Sequence, residues 1–424
     1  MTATGVRERD QGEPTAILRH RTTCRSCGKA ALNRFLELGP QPLANAFLRS
    51  PEAFAAERRY PLDLYFCTHC SLVQLADVID PEVLFGEYIY VTGTSTTIAE
   101  HNRRYARAVV DELGLTADDL VIEIASNDGS LLSCFRSAGV RILGVEPARN
   151  IARVAIERGI PTENRFFERD AGAALRRAHG KARAVIGNNV LAHVDDTAGF
   201  LQGAADLIDD DGAVLVEVPY AREMLERVEY DTVYHEHLCY FSITALSHLG
   251  AQAGLAIVRV DEVPVHGGSV RVWFRRNAGT GPTARALLAA EQENGLATLA
   301  AWERFAERTL AQREQLQALL RRLTSEGKRV AAYGAPAKGN TLLNYCGIGV
   351  DQVPYTVDRN PLKVGMFTPG MHLPVRPAST LVEDQPDYVL ILAWNFADEI
   401  MQQQSAYSAA GGRFILPIPA PSIV

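Results

Sequence analysis

Residues 233 to 242 read VYHEHLCYFS, which gathers two tyrosines, two histidines and a glutamate in a chain that has ten histidines altogether. Imidazole, phenol and carboxylate side chains are the groups that bind metals or move protons near neutral pH. Three readings compete: a metal site, a general acid/base centre, or a polar strand. A strand would turn His235 and His237 to one face and Glu236 to the other, whereas a helix or loop would fan them apart. The local spacing leaves all three open.

A second chemical signal lies earlier. Cys24, Cys27, Cys67 and Cys70 form two C-x-x-C pairs, while Cys134, Cys239 and Cys346 stand singly. In a reducing compartment such double pairs are metal ligands more often than disulfides. Four thiolates close a tetrahedral Zn²⁺ and leave no position for water, so the expected site is structural. The insert between the knuckles exceeds the usual zinc-ribbon spacing and is expected to form a lobe of its own. His69, inside the second knuckle, is a substitute ligand that four cysteines make unnecessary.

The rest of the composition sets bounds. At 424 residues, 47% hydrophobic and 22% charged, the chain should build two to four soluble domains. A net charge of -7 argues against a nucleic-acid partner. No apolar run reaches membrane-spanning length, and the polar start MTATGVRERDQGEPTA lacks a secretory h-region. A cytoplasmic enzyme is expected, with no membrane partner; nothing in the sequence sets the oligomeric state, and a monomer is compatible with it.

The elements that must position these groups alternate. From about residue 100, EHNRRYARAVVDELGL has helical spacing, and DLVIEIASNDGSLL, RILGVEPARN, ARAVIGNNVLAHV and GAVLVEVPY each begin as an apolar strand. The pattern predicts a parallel, doubly wound sheet with its ligands beyond the strand ends. Residues 283 to 326 are helical, with Trp302, Phe305, Leu310, Leu316, Leu319, Leu320 and Leu323 as a packing stripe. The α/β pattern then restarts in KRVAAYGAPAKGN, VPYTVDRNPLKVG and PDYVLILAWNFADEI. The expected fold class is α/β, in five parts: a flexible tail at 1–20, a zinc-binding lobe at 21–80, a Rossmann-like domain at 81–275, a helical connector at 276–326, and a second Rossmann-like domain at 327–424.

The turn in VIEIASNDG selects the cofactor of the middle domain. A dinucleotide fold needs G-x-G-x-x-G for its pyrophosphate, but here only Gly129 stands in the turn, with Glu123, Asn127 and Asp128 around it. That acidic, amide-rich rim would repel a pyrophosphate and suits S-adenosylmethionine (SAM), which is cationic and carries no phosphate. Glu146, at the end of the next strand, is placed to accept the ribose hydroxyls. Asn188 and Asn189 would face the cofactor from the fourth strand, and His193 would look into the reaction space. In the C-terminal lobe, Gly334, Lys338, Gly339 and Asn340 open a helix whose free N–H groups favour an anion, and Asp358 could hold a ribose. These features suit a nucleotide diphosphate.

A four-cysteine lobe, VIEIASNDG, YHEH and GAPAKGN in this order resemble the nucleotide-sugar C-methyltransferases of antibiotic deoxysugar pathways. The resemblance covers nearly all of the chain beyond the first twenty residues. It implies structural zinc in the first lobe, a class I methyltransferase fold with SAM in the second, and a dTDP-linked 4-keto-deoxyhexose held by the third. It also implies that Tyr234, Glu236 and His237 stand at the reacting carbon, with His237 as general base, Tyr234 binding or polarising the sugar and Glu236 orienting or tuning the histidine. His193 matches a second active-site histidine, aimed at the ketone oxygen. Tyr88 matches an active-site tyrosine, although Tyr90 lies two positions on. His235 is expected to be structural, while His266 and Ser269 in HGGS could approach the substrate.

The chemistry gives these groups a task. A carbon beside a ketone becomes nucleophilic only on losing its proton, so a base must meet that hydrogen and a donor the ketone oxygen. Methylation at C-3 is the first expectation, and at C-5 the alternative. An O- or N-methyltransferase of a sugar or natural-product aglycone would keep the same parts without enolisation. A zinc-containing non-catalytic scaffold or an RNA-modifying protein is the last alternative, and the acidic composition disfavours the RNA-modifying form of it.

Overall fold

The computed structural model describes residues 17–86, 96–263 and 267–424. Its central sheet has seven strands, in the order Ala256–Val263, Ser269–Arg275, Ile208–Pro219, Ala182–Asn188, Leu120–Ile124, Arg141–Val145 and Thr162–Glu163. All run parallel except Ser269–Arg275, which is antiparallel to both neighbours. All five residues of Leu120–Ile124 are buried, as expected of a parallel strand covered on both faces. Strand order reverses between Leu120–Ile124 and Ala182–Asn188, and the crevice beyond their carboxyl ends is the natural ligand site of such a sheet.

A second parallel sheet follows, ordered Val375–Pro377, Thr356–Asp358, Val330–Tyr333, Tyr388–Ile391 and Arg413–Leu416, closed by antiparallel Ser422–Ile423. Its order reverses beside Val330–Tyr333, so its crevice lies at Gly334. Between the two sheets stand the helices Pro282–Glu293 and Leu299–Ser325. Trp302, Phe305, Leu316, Leu320 and Leu323 form the buried stripe of the longer one, whereas Leu310 is 48% exposed and lies off it. Phe35 of the first lobe packs against the Trp302 ring at 5.6 Å. Gln312 accepts from the Tyr230 hydroxyl and donates to the Pro417 carbonyl. One apolar cluster accordingly runs through all three parts.

The first lobe departs from expectation twice. Leu18–His20 is a strand paired with Asp77–Ile79, so ordered structure starts inside the span expected to be a tail. The knuckle insert is also no separate lobe. Its strands Leu32–Glu37 and Asp63–Cys67, with Val73–Leu75, form a four-stranded antiparallel sheet whose last strand is Cys239–Tyr240. The segment after YHEH is thus an edge strand of the cysteine lobe, and that lobe is the frame on which the acid/base cluster is hung.

Candidate active site

Leu238 is the node of that frame. Its amide donates to the Ala192 carbonyl at 2.7 Å, and its carbonyl accepts from the Leu75 amide at 3.0 Å. The chain therefore turns at 234–237 rather than running as a strand, with Tyr234 and His237 half exposed and His235 and Glu236 buried. His235 Nε2 donates to the carbonyls of Tyr60 and Pro61 at 3.3 and 3.2 Å, fastening the turn to the first lobe. Burial lowers its pKa to about 4, so it stays neutral.

His237 is set for a different task. Its Nδ1 lies 2.9 Å from the Thr232 carbonyl, which can only accept, so the proton resides on Nδ1. The lone pair is consequently on Nε2, 2.7 Å from the Tyr234 hydroxyl. The His193 ring meets His237 edge-on at 4.9 Å, and Phe85 closes on His193 at 5.5 Å. Burial holds His193 neutral, its pKa lowered to about 4. Among the described residues its Nδ1 is buried without a hydrogen-bond partner, as a group kept for a ligand would be.

Glu236 does not orient His237. Both its carboxylate oxygens accept from Asn45 Nδ2, at 2.8 and 3.0 Å. Desolvation raises its pKa to about 7, against the opposing pull of Asn45 and Lys363. Lys363 donates to the Ala335 carbonyl at 2.7 Å, so all three lobes meet at this carboxylate. The sequence flagged neither Asn45 nor Lys363, because each works across a lobe boundary that no local pattern reports. Tyr88, Tyr90 and His266 lie outside the described residues.

The cofactor crevice is built by backbone. Ala125, Asn127 and Gly129 take left-handed φ of 54°, 49° and 74°, an alternation that glycines would normally supply. Here the loop is made with one glycine, which is why it is hard to see in sequence. Glu146 accepts from the Asn127 and Ala148 amides, both at 2.8 Å, and each oxygen keeps a lone pair for a ribose hydroxyl. Glu123 is buried with Oε2 unpartnered among the described residues, and desolvation raises its pKa well above normal. A cationic sulfonium with an amino group fits such a rim.

Asp128 is a correction. It turns back, accepting from the Ser130 amide and hydroxyl and pairing with Arg158. Asn188 accepts from the Tyr105 hydroxyl, and the Asn189 amide donates to the Glu217 carbonyl at 2.7 Å. That ties the fourth strand's end to a buried Glu217–Arg271 pair.

The C-terminal crevice repeats the device. Asp358 accepts from the Ala335 and Asn360 amides, both at 2.7 Å, just as Glu146 does in the middle lobe. Gly334 has φ 89°, and a Cβ on Gly339 would lie 2.7 Å from Leu392 Cβ, so both positions suit glycine for reasons of packing. Asn340 was expected to face substrate; it is buried, and its amide donates to the Ala44 carbonyl at 2.7 Å. Lys338 lies over the Trp394 ring at 5.1 Å, in the field of buried Glu229 and Asp231. Desolvation raises those two carboxyls to about 7 and about 6, and Lys338 Nζ is buried with no hydrogen-bond partner among the described residues, as a group kept for an anionic ligand would be. Ser269 is buried opposite Pro219 at the start of its strand.

The four thiols fit zinc. All four sulfurs lie within 4.8 Å of one another, with Cys24–Cys70 and Cys27–Cys67 both at 3.6 Å. That is close to the edge of a tetrahedron with Zn–S bonds of about 2.3 Å. Packed so closely they cannot ionise independently: hydrogen bonds from Cys67 and Cys70 hold Cys24 low, while Cys67 and Cys70 are pushed up. A bound cation would hold all four as thiolates. His69 sits apart, its ring 6.4 Å from that of His248.

A four-thiol site beneath a histidine-bearing turn, beside the crevice of a doubly wound sheet, defines a class of enzyme. Family models match in the same order: "Putative zinc binding domain" at residues 24–85, "Methyltransferase domain" at 98–260 and "C-methyltransferase C-terminal domain" at 264–419. The chain belongs to the C-methyltransferase family; it is a SAM-dependent enzyme with a zinc site. C-methyltransferase NovU of Streptomyces niveus is 39% identical over 411 residues, 96% of this chain and 98% of that protein. Among solved structures, magnesium protoporphyrin IX methyltransferase of Synechocystis PCC 6803 with bound SAM is 16% identical, covering 43% of this chain and 82% of that one, with a TM-score of 0.32. The CcbJ methyltransferase from Streptomyces caelestis is 15% identical, covering 46% and 96%, with a TM-score of 0.35.

Proposed function

We propose that this C-methyltransferase acts on a dTDP-linked 4-keto-deoxysugar, removing a proton from a ring carbon beside the ketone and methylating that carbon, C-3 first and C-5 as the alternative. The observation that carries this reading is the His237 tautomer: Thr232 holds the proton on Nδ1, which leaves Nε2 basic at the half-exposed face of the turn. An O–H or N–H acceptor would also release a proton on methylation but would require no enolisation, so the position of the new methyl group separates the two readings.

In this reading Nε2 takes the carbon-bound proton. Tyr234, which donates to Nε2 in the free enzyme, turns its hydroxyl to the ketone oxygen as substrate enters. His193, neutral and with Nδ1 unused, stabilises the same oxygen as charge develops there. A positioned base contributes about 10²- to 10⁴-fold, and a donor at the oxyanion about 10²- to 10³-fold. SAM, held by Glu146, Glu123 and the Asn127 and Asn188–Asn189 rim, supplies an electrophilic methyl group. The nucleotide end of the substrate takes the crevice at Gly334, Gly339 and Asp358. No nucleic-acid or membrane partner enters this reading, and a four-thiol metal set supports a reducing, cytoplasmic setting for it.

The test is product analysis after incubation with SAM and a dTDP-4-keto-6-deoxyhexose. The expected product carries its new methyl on a ring carbon adjacent to C-4, located by carbon–proton NMR correlation. A methyl on oxygen, or no transfer to any 4-keto sugar nucleotide, would overturn the proposal.

A further inference from the structure

Arg25 lies inside the first cysteine knuckle, between two metal ligands, where an arginine is ordinarily a solvated surface residue. Here its side chain is fully buried. A buried guanidinium is costly unless its donors are used, and both terminal nitrogens are spent on backbone beside the candidate site, while Nε makes no hydrogen bond among the described residues. Nη1 donates to the Leu238 carbonyl at 2.9 Å and Nη2 to the Leu75 carbonyl. Nε faces Asp195 Oδ1 at 3.8 Å.

These partners flank both histidines. Leu238 directly follows His237, and its amide is bonded to Ala192, the residue before His193. Asp195 lies two residues past His193. In the other direction the Arg25 amide donates to Gln74 Oε1 at 3.1 Å, and Gln74 Nε2 donates to Cys24 Sγ at 3.1 Å. A continuous path thus joins a zinc-ligand sulfur to the backbone of His237 through Gln74, Arg25 and Leu238.

We propose that Arg25 is a positioning residue for methyl transfer, through which the zinc knuckle sets the His193–His237 geometry. The inference rests on the reading that these histidines face the reacting carbon. Groups one step out from a metal ligand or reacting side chain typically matter by about 10- to 100-fold when removed. A guanidinium bonded to two carbonyls and facing a carboxylate at ion-pair distance can hold the 4.9 Å ring spacing, whereas an ammonium is a point donor that cannot span both carbonyls.

The experiment compares Arg25→Gln and Arg25→Lys with wild type in zinc content, SAM affinity, kcat, KM and amide hydrogen exchange over residues 191–195 and 233–240. Expected for Arg25→Gln are retained zinc and SAM affinity, little change in KM, faster exchange in both segments, and a kcat lowered about 10- to 100-fold; Arg25→Lys should fall between. Wild-type kcat in zinc-loaded Arg25→Gln overturns the proposal, as does unchanged exchange. If Arg25→Gln loses zinc, Arg25→Lys decides: lowered kcat with zinc retained supports the proposal, and full kcat, or zinc loss in both, overturns it. His237→Ala run in parallel separates the two readings. Should it turn over normally, the base assignment fails on its own, while exchange still reports whether Arg25 holds the turn.

Discussion

Arg271→Met probes the pair beneath the cofactor crevice. The Arg271 and Glu217 side chains are 8% and 3% exposed, and Nε and Nη2 of Arg271 both donate to Glu217 Oε2, at 3.0 and 2.7 Å. The guanidinium also lies 3.3 Å over the Tyr105 ring. Burial pushes the Glu217 carboxyl up, but His101 and Arg271 together outweigh it and hold the group below its ordinary value. Removing the arginine leaves a buried carboxylate without its main partner, at a cost of about 3–5 kcal/mol. At about 2–4 °C per kcal/mol for a lobe of this size, Tm should fall by about 6–20 °C. SAM affinity should fall as well, because the Glu217 carbonyl accepts from Asn189, and Tyr105, under the guanidinium, donates to Asn188. The assay is calorimetry of zinc-loaded protein with SAM titration, on the single variant and on Glu217→Leu/Arg271→Met. The double variant should regain most of the loss, since no buried charge is left. A single-variant loss below about 1 kcal/mol, the scale of an exposed pair, or a double variant no better than the single, would refute the reasoning.

Three further outcomes follow from named contacts. Glu236 has a pKa raised from 4.5 to about 7, so the folded chain binds that proton more tightly and stability falls as pH rises between those values, the full cost being present above about 7. Glu236→Gln should therefore exceed wild type by up to about 3 kcal/mol at pH 8, with the gap shrinking toward pH 5; melts showing a pH-independent gap would contradict this. Cys67→Ser should lose zinc, worth about 10 kcal/mol or more of folding free energy, and with it the order of Cys239–Tyr240; metal analysis and exchange over 233–240 check both. Trp394→Phe removes the indole N–H that Asp231 Oδ2 accepts at 2.6 Å, which should cost about 1–3 kcal/mol in unfolding experiments.

Much of this architecture was legible because it is local. Two C-x-x-C pairs, the apolar run at 120–124 and the acid after the next strand are patterns within a few residues, and they mark the zinc site, the first strand and Glu146. The stripe on the long helix was readable except at Leu310, where periodicity alone cannot tell a core face from its margin. What escaped was set by long-range pairing. Cys239–Tyr240 pairs with a strand about 165 residues earlier, so YHEH could not be recognised as a turn on the edge of the cysteine lobe. For the same reason Glu236 was assigned to His237 and not to Asn45. Asp128 has the right type at a strand end, yet its charge is taken up by Arg158. Arg25 gave no signal, since nothing in C-R-S-C distinguishes a buried arginine from a solvated one.

The most direct test of the base at residue 237 is incorporation of solvent deuterium into the sugar, at the carbon beside the ketone, with S-adenosylhomocysteine in place of SAM. Wild type should exchange that hydrogen, and His237→Ala should do so at least about 10²-fold more slowly while binding S-adenosylhomocysteine as tightly. Exchange by His237→Ala at the wild-type rate would contradict the account.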